Sequence, residues 1–530
     1  MSAMSVRDAT VDVMRRQSMT TIFSNPGSTE VSFLAELPSD LEFVLALHEG
    51  SVVGIASGWA LARESPAFVL LHTTAGLGNA VGALATARVN HAPLVVVVGQ
   101  QDRRHLALQP FLAGELDGLA GRYPLETISP VRAQDVPSAV ERAAHIARAG
   151  RGPVLVIVPM DDWEATYDPT ALAAARVVIG PEGSVNGATE LAELVAASRR
   201  PAIVAGSGND TAGGWARLTA FAEHLDAPVW QEPFGSRAGF PQDHRLFRGT
   251  LPTERPQVRE ALTPYDLLVV VGAAALRQYP FTDGPLVPEE MGLVVITSDQ
   301  AEATRSPARL SVVGEPAVVL GAVLEQLGAP RTPDTDRAAR SVPDVPPPPR
   351  AGEPLRAAHV FAELAALLPP EAVVVEESPS SRPLLEAMIP ARQPLGFLSA
   401  AMGGLGFAMP ASIGIKMAQP SRPVVAVVGD GSSIYAIQSL WTAARLDVGV
   451  LFVVMANGRY AVMDGLAERA GSKPVWPSFP ELSISDIAAG FGCRSQKIST
   501  YENLRDVLAR STATLREPDG PLVLEVVVAP

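Results

Sequence analysis

Val424-Val425-Ala426-Val427-Val428-Gly429-Asp430-Gly431-Ser432-Ser433 is an unbroken apolar run that stops at a glycine and turns polar. Apolar residues without alternation predict a strand covered on both faces, as in a parallel sheet between helices. A helical pattern, Ile434 to Leu446, follows, and a second apolar run, Val450 to Met455, leads to Asn457, 27 residues beyond Asp430. In a right-handed strand–helix–strand unit, Asp430 and Asn457 emerge at the same carboxyl edge of the sheet. A carboxylate and an amide oxygen are hard ligands that suit Mg²⁺, which completes its octahedron with phosphate oxygens. Gly429 and Gly431 admit a close backbone approach, and the amides around Ser432 and Ser433 open a helix, where diphosphate charge is favoured. A turn capped by an aspartate, with an unrelated loop asparagine, would be spelled the same way. The spacing between two valine-rich strands favours the metal–diphosphate reading.

Outward from this unit the alternation of strand and helix continues in both directions. Toward the N-terminus, strands are predicted at Leu41 to Leu47, Ala67 to Leu71, Leu94 to Val98 and Val154 to Pro159, with a helix over Ser51 to Arg63. A second group lies at Ala202 to Ala205, Asp266 to Gly272 and Leu293 to Thr297, and a third starts near Ala372 to Val375. The stretch Arg331 to Pro354 carries four successive prolines, Pro346 to Pro349, and reads as a stiff linker. The expected fold is therefore α/β, with three doubly wound parallel-sheet domains: 1–180, a central Rossmann-like 181–330, and 355–530 after the linker 331–354. Two glycine-rich stretches, Ala75 to Ala80 and Gly403 to Ala408, each precede a valine strand, at Val95 to Gly99 and Val424 to Gly429. If this marks a duplication, the first and third domains share a fold and the middle one differs.

Composition narrows the function. The 530 residues are 47% apolar with a formal net charge of −14, and no basic block is present. Nucleic acid and anionic membranes are poor partners for such a chain. A single cysteine, Cys493, excludes an intrachain disulfide framework or a cysteine-rich metal site. No apolar run reaches the length of a membrane span, so a cytoplasmic protein is expected. In the middle domain, Gly206-Ser207-Gly208 lacks the third glycine of a dinucleotide fingerprint and has Thr211 there, which argues against an NAD or FAD site.

Gly-Asp-Gly followed at this distance by asparagine resembles the cofactor motif of thiamine diphosphate enzymes. Within that family the chain is most similar to the benzoylformate decarboxylases, over nearly its whole length. Phe23-Ser24-Asn25-Pro26-Gly27-Ser28, Leu71-His72-Thr73-Thr74-Ala75-Gly76, Ala408-Met409-Pro410-Ala411 and Leu440-Trp441-Thr442-Ala443-Ala444 carry the likeness. It implies pyrimidine-binding, central and diphosphate-binding domains, in that order. Asp430, Asn457 and the carbonyl of Arg459 would bind Mg²⁺. Asn25, Pro26, Ser380, Gly403, Leu405, Gly429, Gly431, Ser432 and Tyr460 would line the cofactor, Leu405 as an apolar wedge beneath it. Glu49, which opens an apolar helix after His48, would pair with the aminopyrimidine ring; read alone, it also suits a first-turn glutamate facing the helix dipole. His72 would act as acid and base, and Ser28 would bind the substrate carboxylate. The family builds each site across a subunit interface, which implies a homodimer at minimum and a homotetramer as the expected assembly.

The resemblance also has departures. The usual Asn-Asn pair is Ala456-Asn457, with the ligand retained. A second active-site histidine of the family is absent from Arg277-Gln278-Tyr279-Pro280, where Tyr279 stands nearest. Tyrosine, with a pKa of about 10, exchanges protons poorly at neutral pH, which favours carboligation more than the parent pattern does. Ser399 and Leu466, with Val462 nearby, replace bulky aromatics of the substrate pocket. The expected activity is decarboxylation of an aromatic or branched 2-oxo acid to an aldehyde and CO₂. A carboligase or lyase that makes or splits 2-hydroxyketones is the alternative, and a scaffold without chemistry is a third reading, opposed by Glu49, Asp430 and Asn457.

Overall fold

The apolar runs form three six-stranded sheets in a computed structural model that describes residues 4–168, 187–337, 340–350, 352–517 and 519–529. The first sheet contains β1 (Thr21–Asn25), β2 (Glu42–Leu45), β3 (Ala67–Leu71), β4 (Leu94–Gln100), β5 (Thr127–Ile128) and β6 (Pro153–Pro159), in the order β2-β1-β3-β4-β6-β5. The second contains β7 (Pro201–Ala205), β8 (Val229–Gln231), β9 (Phe247–Thr250), β10 (Leu267–Val271), β11 (Gly292–Thr297) and β12 (Leu310–Val313), in the order β12-β11-β10-β7-β8-β9. The third contains β13 (Val373–Glu377), β14 (Phe397–Ser399), β15 (Val424–Gly429), β16 (Leu451–Ala456), β17 (Arg494–Ile498) and β18 (Leu522–Val527), in the order β14-β13-β15-β16-β18-β17. Parallel pairing joins β3 to β4, β7 to β10 and β15 to β16. The uniformly apolar strands are buried along their length, as two-sided coverage requires.

Counted within each sheet, the first and third share the order 2-1-3-4-6-5, and the second has the nucleotide-fold order 3-2-1-4-5-6. The first and third domains therefore do repeat one fold. The glycine-rich stretches quoted for that repeat are offset by one strand, however. β15 is the third strand of its sheet and corresponds to β3, whereas the stretch from Ala75 leads to β4. In the correct alignment Asp430, after β15, corresponds to His72, after β3. The helix expected over Ile434 to Leu446 is also broken into Asp430–Ser433, a 3₁₀ turn Ile434–Ala436 and Ser439–Arg445.

The described residues divide into two compact units. One holds those up to 168 with Val375–Ser380 and Ala400 onward; the other holds 187 to Val374 with Ser381–Ser399. In the first unit, α1 (Glu49–Arg63) and α3 (Ala408–Ala418) are equivalent helices of the two repeats, and they pack directly on each other. Small residues make this possible. A Cβ on Gly58 would lie 2.0 Å from the Ala411 carbonyl oxygen, and one on Gly414 would lie 1.9 Å from that of Ile55. Backbone thus touches backbone at two related points. In the second unit, Glu232 follows β8 and turns back on the glycine turn, where Ser207 donates to it from its backbone N–H (2.9 Å) and its hydroxyl (3.0 Å). The chain's own carboxylate occupies the amide a dinucleotide phosphate would use. No helix among the described residues is long and apolar enough to cross a membrane.

Candidate active site

All the expected catalytic and cofactor residues of the first unit lie at the carboxyl ends of strands, where parallel α/β sheets place their ligands. At the first sheet, β1 ends in Asn25, followed by Pro26 and the exposed Ser28, β2 leads to Glu49, and β3 leads to His72. Glu49 is buried, and both its oxygens are held: Asn25 Nδ2 donates to Oε1 (3.1 Å) and Asn79 Nδ2 to Oε2 (3.0 Å). The surroundings are thus less apolar than the sequence pattern of the helix suggests. Asn79 comes from α2 (Thr74–Val89), in the first glycine-rich stretch. His48 caps α1 through Nδ1, which accepts from Gly50 N–H at 3.0 Å.

His72 is oriented by a buried carboxylate. Its Nδ1 lies 3.1 Å from Glu30 Oε2 and 2.9 Å from Thr29 Oγ1. Glu30 also accepts from Gly27 N–H at 2.7 Å, and burial raises its carboxyl above the ordinary range. With Nδ1 engaged, Nε2 is the ring atom left to exchange a proton. Gly27 makes room for the ring: a Cβ there would sit 2.4 Å from His72 Cγ. Neither Glu30 nor Asn79 stands out in the sequence, although Asn79 lies inside the glycine-rich stretch Ala75 to Ala80 and Glu30 lies two residues beyond Ser28.

At the third sheet, Asp430 is buried and its carboxylate bridges two turns. Gly431 N–H donates to Oδ1 (2.8 Å) and Gly458 N–H to Oδ2 (2.6 Å). Asn457 Oδ1 accepts from Arg459 N–H at 3.1 Å. Burial raises the Asp430 carboxyl against the pull of these backbone amides, a cost that a bound cation would offset. Arg459 is drawn aside by Asp464 (2.6 Å), itself held by Trp476 Nε1 at 2.9 Å, so the Arg459 side chain is engaged away from its carbonyl. A Cβ on Gly431 would lie 2.7 Å from the Tyr460 ring, which packs edge-on against Phe479. This oxygen set and glycine cradle fit a hard divalent cation carrying a diphosphate.

The loop after β13 brings Ser380, whose Oγ accepts from Val462 N–H at 3.2 Å, and the loop after β14 brings Gly403 and Leu405. Between them lies Glu377, which sequence reading missed. It accepts from the backbone amides of Gly406, Phe407 and Ala408, and burial pushes its carboxyl up to about 7. Val462 is exposed and Leu466 partly buried, both on the helix Ala461–Arg469. In the second unit, Ser399 is buried and its N–H donates to Ser236 O at 2.8 Å, whereas Tyr279 is 60% exposed.

Three family models cover most of the chain: the N-terminal thiamine pyrophosphate-binding domain over residues 4–121, the central domain over 188–327 and the C-terminal thiamine pyrophosphate-binding domain over 382–526. The chain belongs to the thiamine pyrophosphate enzyme family. It is 38% identical to benzoylformate decarboxylase of Pseudomonas aeruginosa, over 98% of each chain. The structure of the Rhodococcus jostii thiamine diphosphate-dependent 4-hydroxybenzoylformate decarboxylase matches with a TM-score of 0.93 at 32% identity, over 99% of each chain. A more distant member, glyoxylate carboligase of Escherichia coli O157:H7, is 24% identical over 100% of this chain and 94% of its own. The N-terminal match contains Glu49 and His72, and the C-terminal match contains Asp430.

Proposed function

We propose that the chain is a thiamine diphosphate- and Mg²⁺-dependent decarboxylase of an aromatic or branched 2-oxo acid, benzoylformate-like, that releases an aldehyde and CO₂. The observation that carries this is the His72–Glu30 pair at the same sheet edge as the amide-held Glu49, in a chain resembling benzoylformate decarboxylase from end to end. Asp430, Asn457 and the Arg459 carbonyl would hold Mg²⁺. Asn25, Pro26, Ser380, Gly403, Leu405, Gly429, Gly431, Ser432 and Tyr460 would contact the cofactor. Thiamine diphosphate, when bound, supplies the electron sink that the 2-oxo acid lacks. Glu49 would pair with the cofactor ring through its carboxylate, which Asn25 and Asn79 fix. Ser28 binds the substrate carboxylate, and His72 moves a proton at Nε2 while Glu30 keeps the ring oriented. Tyr279, Ser399, Val462 and Leu466 would shape the substrate side. The same reading sets domains at 1–180, 181–330 and 355–530 with a linker at 331–354, and a cytoplasmic homodimer at minimum, with a homotetramer expected.

The test is CO₂ release from a panel of 2-oxo acids that includes benzoylformate, with Mg²⁺ and thiamine diphosphate, beside a Glu49→Ala control. Cofactor-dependent release that the substitution removes supports the decarboxylase. No release from a cofactor-bound enzyme sinks it.

Tyr279 favours a second reading, a carboligase or lyase of 2-hydroxyketones, because a tyrosine returns protons slowly at neutral pH. Acyloin formed from added aldehydes, in excess of CO₂ release from 2-oxo acids, would select that reading.

A further inference from the structure

Glu377 is the last residue of β13, and its carboxylate is buried. Oε1 accepts from Gly406 N–H at 2.6 Å, and Oε2 accepts from Phe407 and Ala408 N–H at 2.7 Å each. A capping side chain ordinarily serves the second and third amides inside a helix. Here the helix α3 starts at Ala408, so the three donors are its first amide and the two that precede it. The carboxylate therefore grips the chain that enters the helix, at a point where Gly406 has a φ of 91° and lies against Tyr435. That entering chain is the turn Gly403 to Gly406, which carries Leu405. On the other side of Glu377, Glu376 Oε1 accepts from Ser378 N–H at 2.5 Å, and the chain reaches Ser380.

We propose that Glu377 is a positioning residue for the cofactor. It ties the turn bearing Leu405 to the strand end that leads to Ser380, so that two cofactor-contacting segments keep one spacing. This role rests on the cofactor site proposed above. Glutamine at 377 keeps the shape but offers one acceptor oxygen and an NH₂ group that faces backbone N–H, so at least one side of the grip is lost.

The experiment titrates thiamine diphosphate with Mg²⁺ into the full-length wild-type chain and Glu377→Gln by calorimetry, with thermal melts of both without cofactor. Loss of at least one buried hydrogen bond supports an expectation of about tenfold weakening of cofactor affinity in the folded variant. A merely structural cap would lower the melting temperature and leave that affinity unchanged, and this result overturns the proposal. If the variant does not fold, hydrogen exchange on the wild-type chain decides. Amides of Gly406, Phe407 and Ala408 that exchange far more slowly than that of Gly404, before cofactor is added, support the grip; equal rates overturn it. A wild-type chain that binds no thiamine diphosphate overturns the functional reading and this role together. Wild-type binding with an unaffected variant overturns this role alone.

Discussion

His72 Nδ1 lies 3.1 Å from Oε2 of Glu30, a carboxylate with almost no contact with solvent. With Glu30 as acceptor, Nδ1 would carry the ring proton and Nε2 would be left to exchange protons with a substrate. Glu30→Gln offers an amide N–H to Nδ1 and so favours the opposite tautomer. The expected result is a loss of about 100-fold in kcat/KM on benzoylformate, the low end of what a placed acid–base group contributes. Cofactor affinity should stay as in the wild type, because Glu30 touches none of the expected cofactor residues except through Gly27. Steady-state kinetics with a calorimetric titration check both halves, and unchanged turnover would show that His72 holds its orientation without the carboxylate.

Glu49 is held by two amides, Asn25 Nδ2 at 3.1 Å and Asn79 Nδ2 at 3.0 Å. Glu49→Gln would turn an NH₂ group toward one of those donors and remove the proton-holding carboxylate. Turnover should fall by about 100- to 10,000-fold, while Mg²⁺ and thiamine diphosphate still bind through the third-sheet edge. Retained turnover in the glutamine variant would remove Glu49 from the chemistry.

Ten of the eighteen described strands were legible because two-sided burial writes itself as runs of Val, Leu and Ile; β1, β5, β8, β9, β12, β14, β17 and β18, most of them short or interrupted by polar residues, were not. Asp430, Asn457, Glu49 and His72 were legible because each follows such a run at the edge where ligands sit. Glu30, Asn79 and Glu377 were not. Each is a polar residue whose partner lies far along the chain or in backbone amides, and nothing local distinguishes a buried, bonded carboxylate from a solvated one. Glu376-Glu377 in particular reads as a strand running out into water. The repeat was half legible: glycine-rich segments attracted the comparison, although strand order and not glycine content carries the equivalence of β3 with β15.

The contact of α1 with α3 gives a stability prediction. Gly58→Ala and Gly414→Ala each drive a methyl group into a backbone carbonyl, at 2.0 Å and 1.9 Å, and backbone cannot rotate away. Overpacking of this kind costs about 1–3 kcal/mol, more than the helix-propensity gain of about 1 kcal/mol from replacing glycine. Both variants should melt below the wild type. Gly213→Ala, in the helix Ala212–Leu225 with nothing within 4 Å, should melt at or above it. Equal melting of all three would mean that the two helices are not in backbone contact.

The pH dependence of stability follows from Glu377. Burial, reinforced by the neighbouring Glu376 charge, pushes its carboxyl from 4.5 up to about 7, against the pull of three backbone N–H groups. The folded chain therefore holds this proton more tightly than the unfolded chain does. Its contribution to stability is fully present below pH 4.5 and is lost as pH rises through about 7. Other buried carboxyls, Glu30, Glu232 and Glu302 among them, are raised in the same direction, so the slope must be isolated by difference. Between pH 5.5 and 8, on either side of the value of about 7, the cofactor-free wild-type chain should lose more melting temperature than Glu377→Gln, which carries no titrating group there. Parallel curves for the two proteins across that interval would mean that Glu377 does not change its protonation in the folded chain.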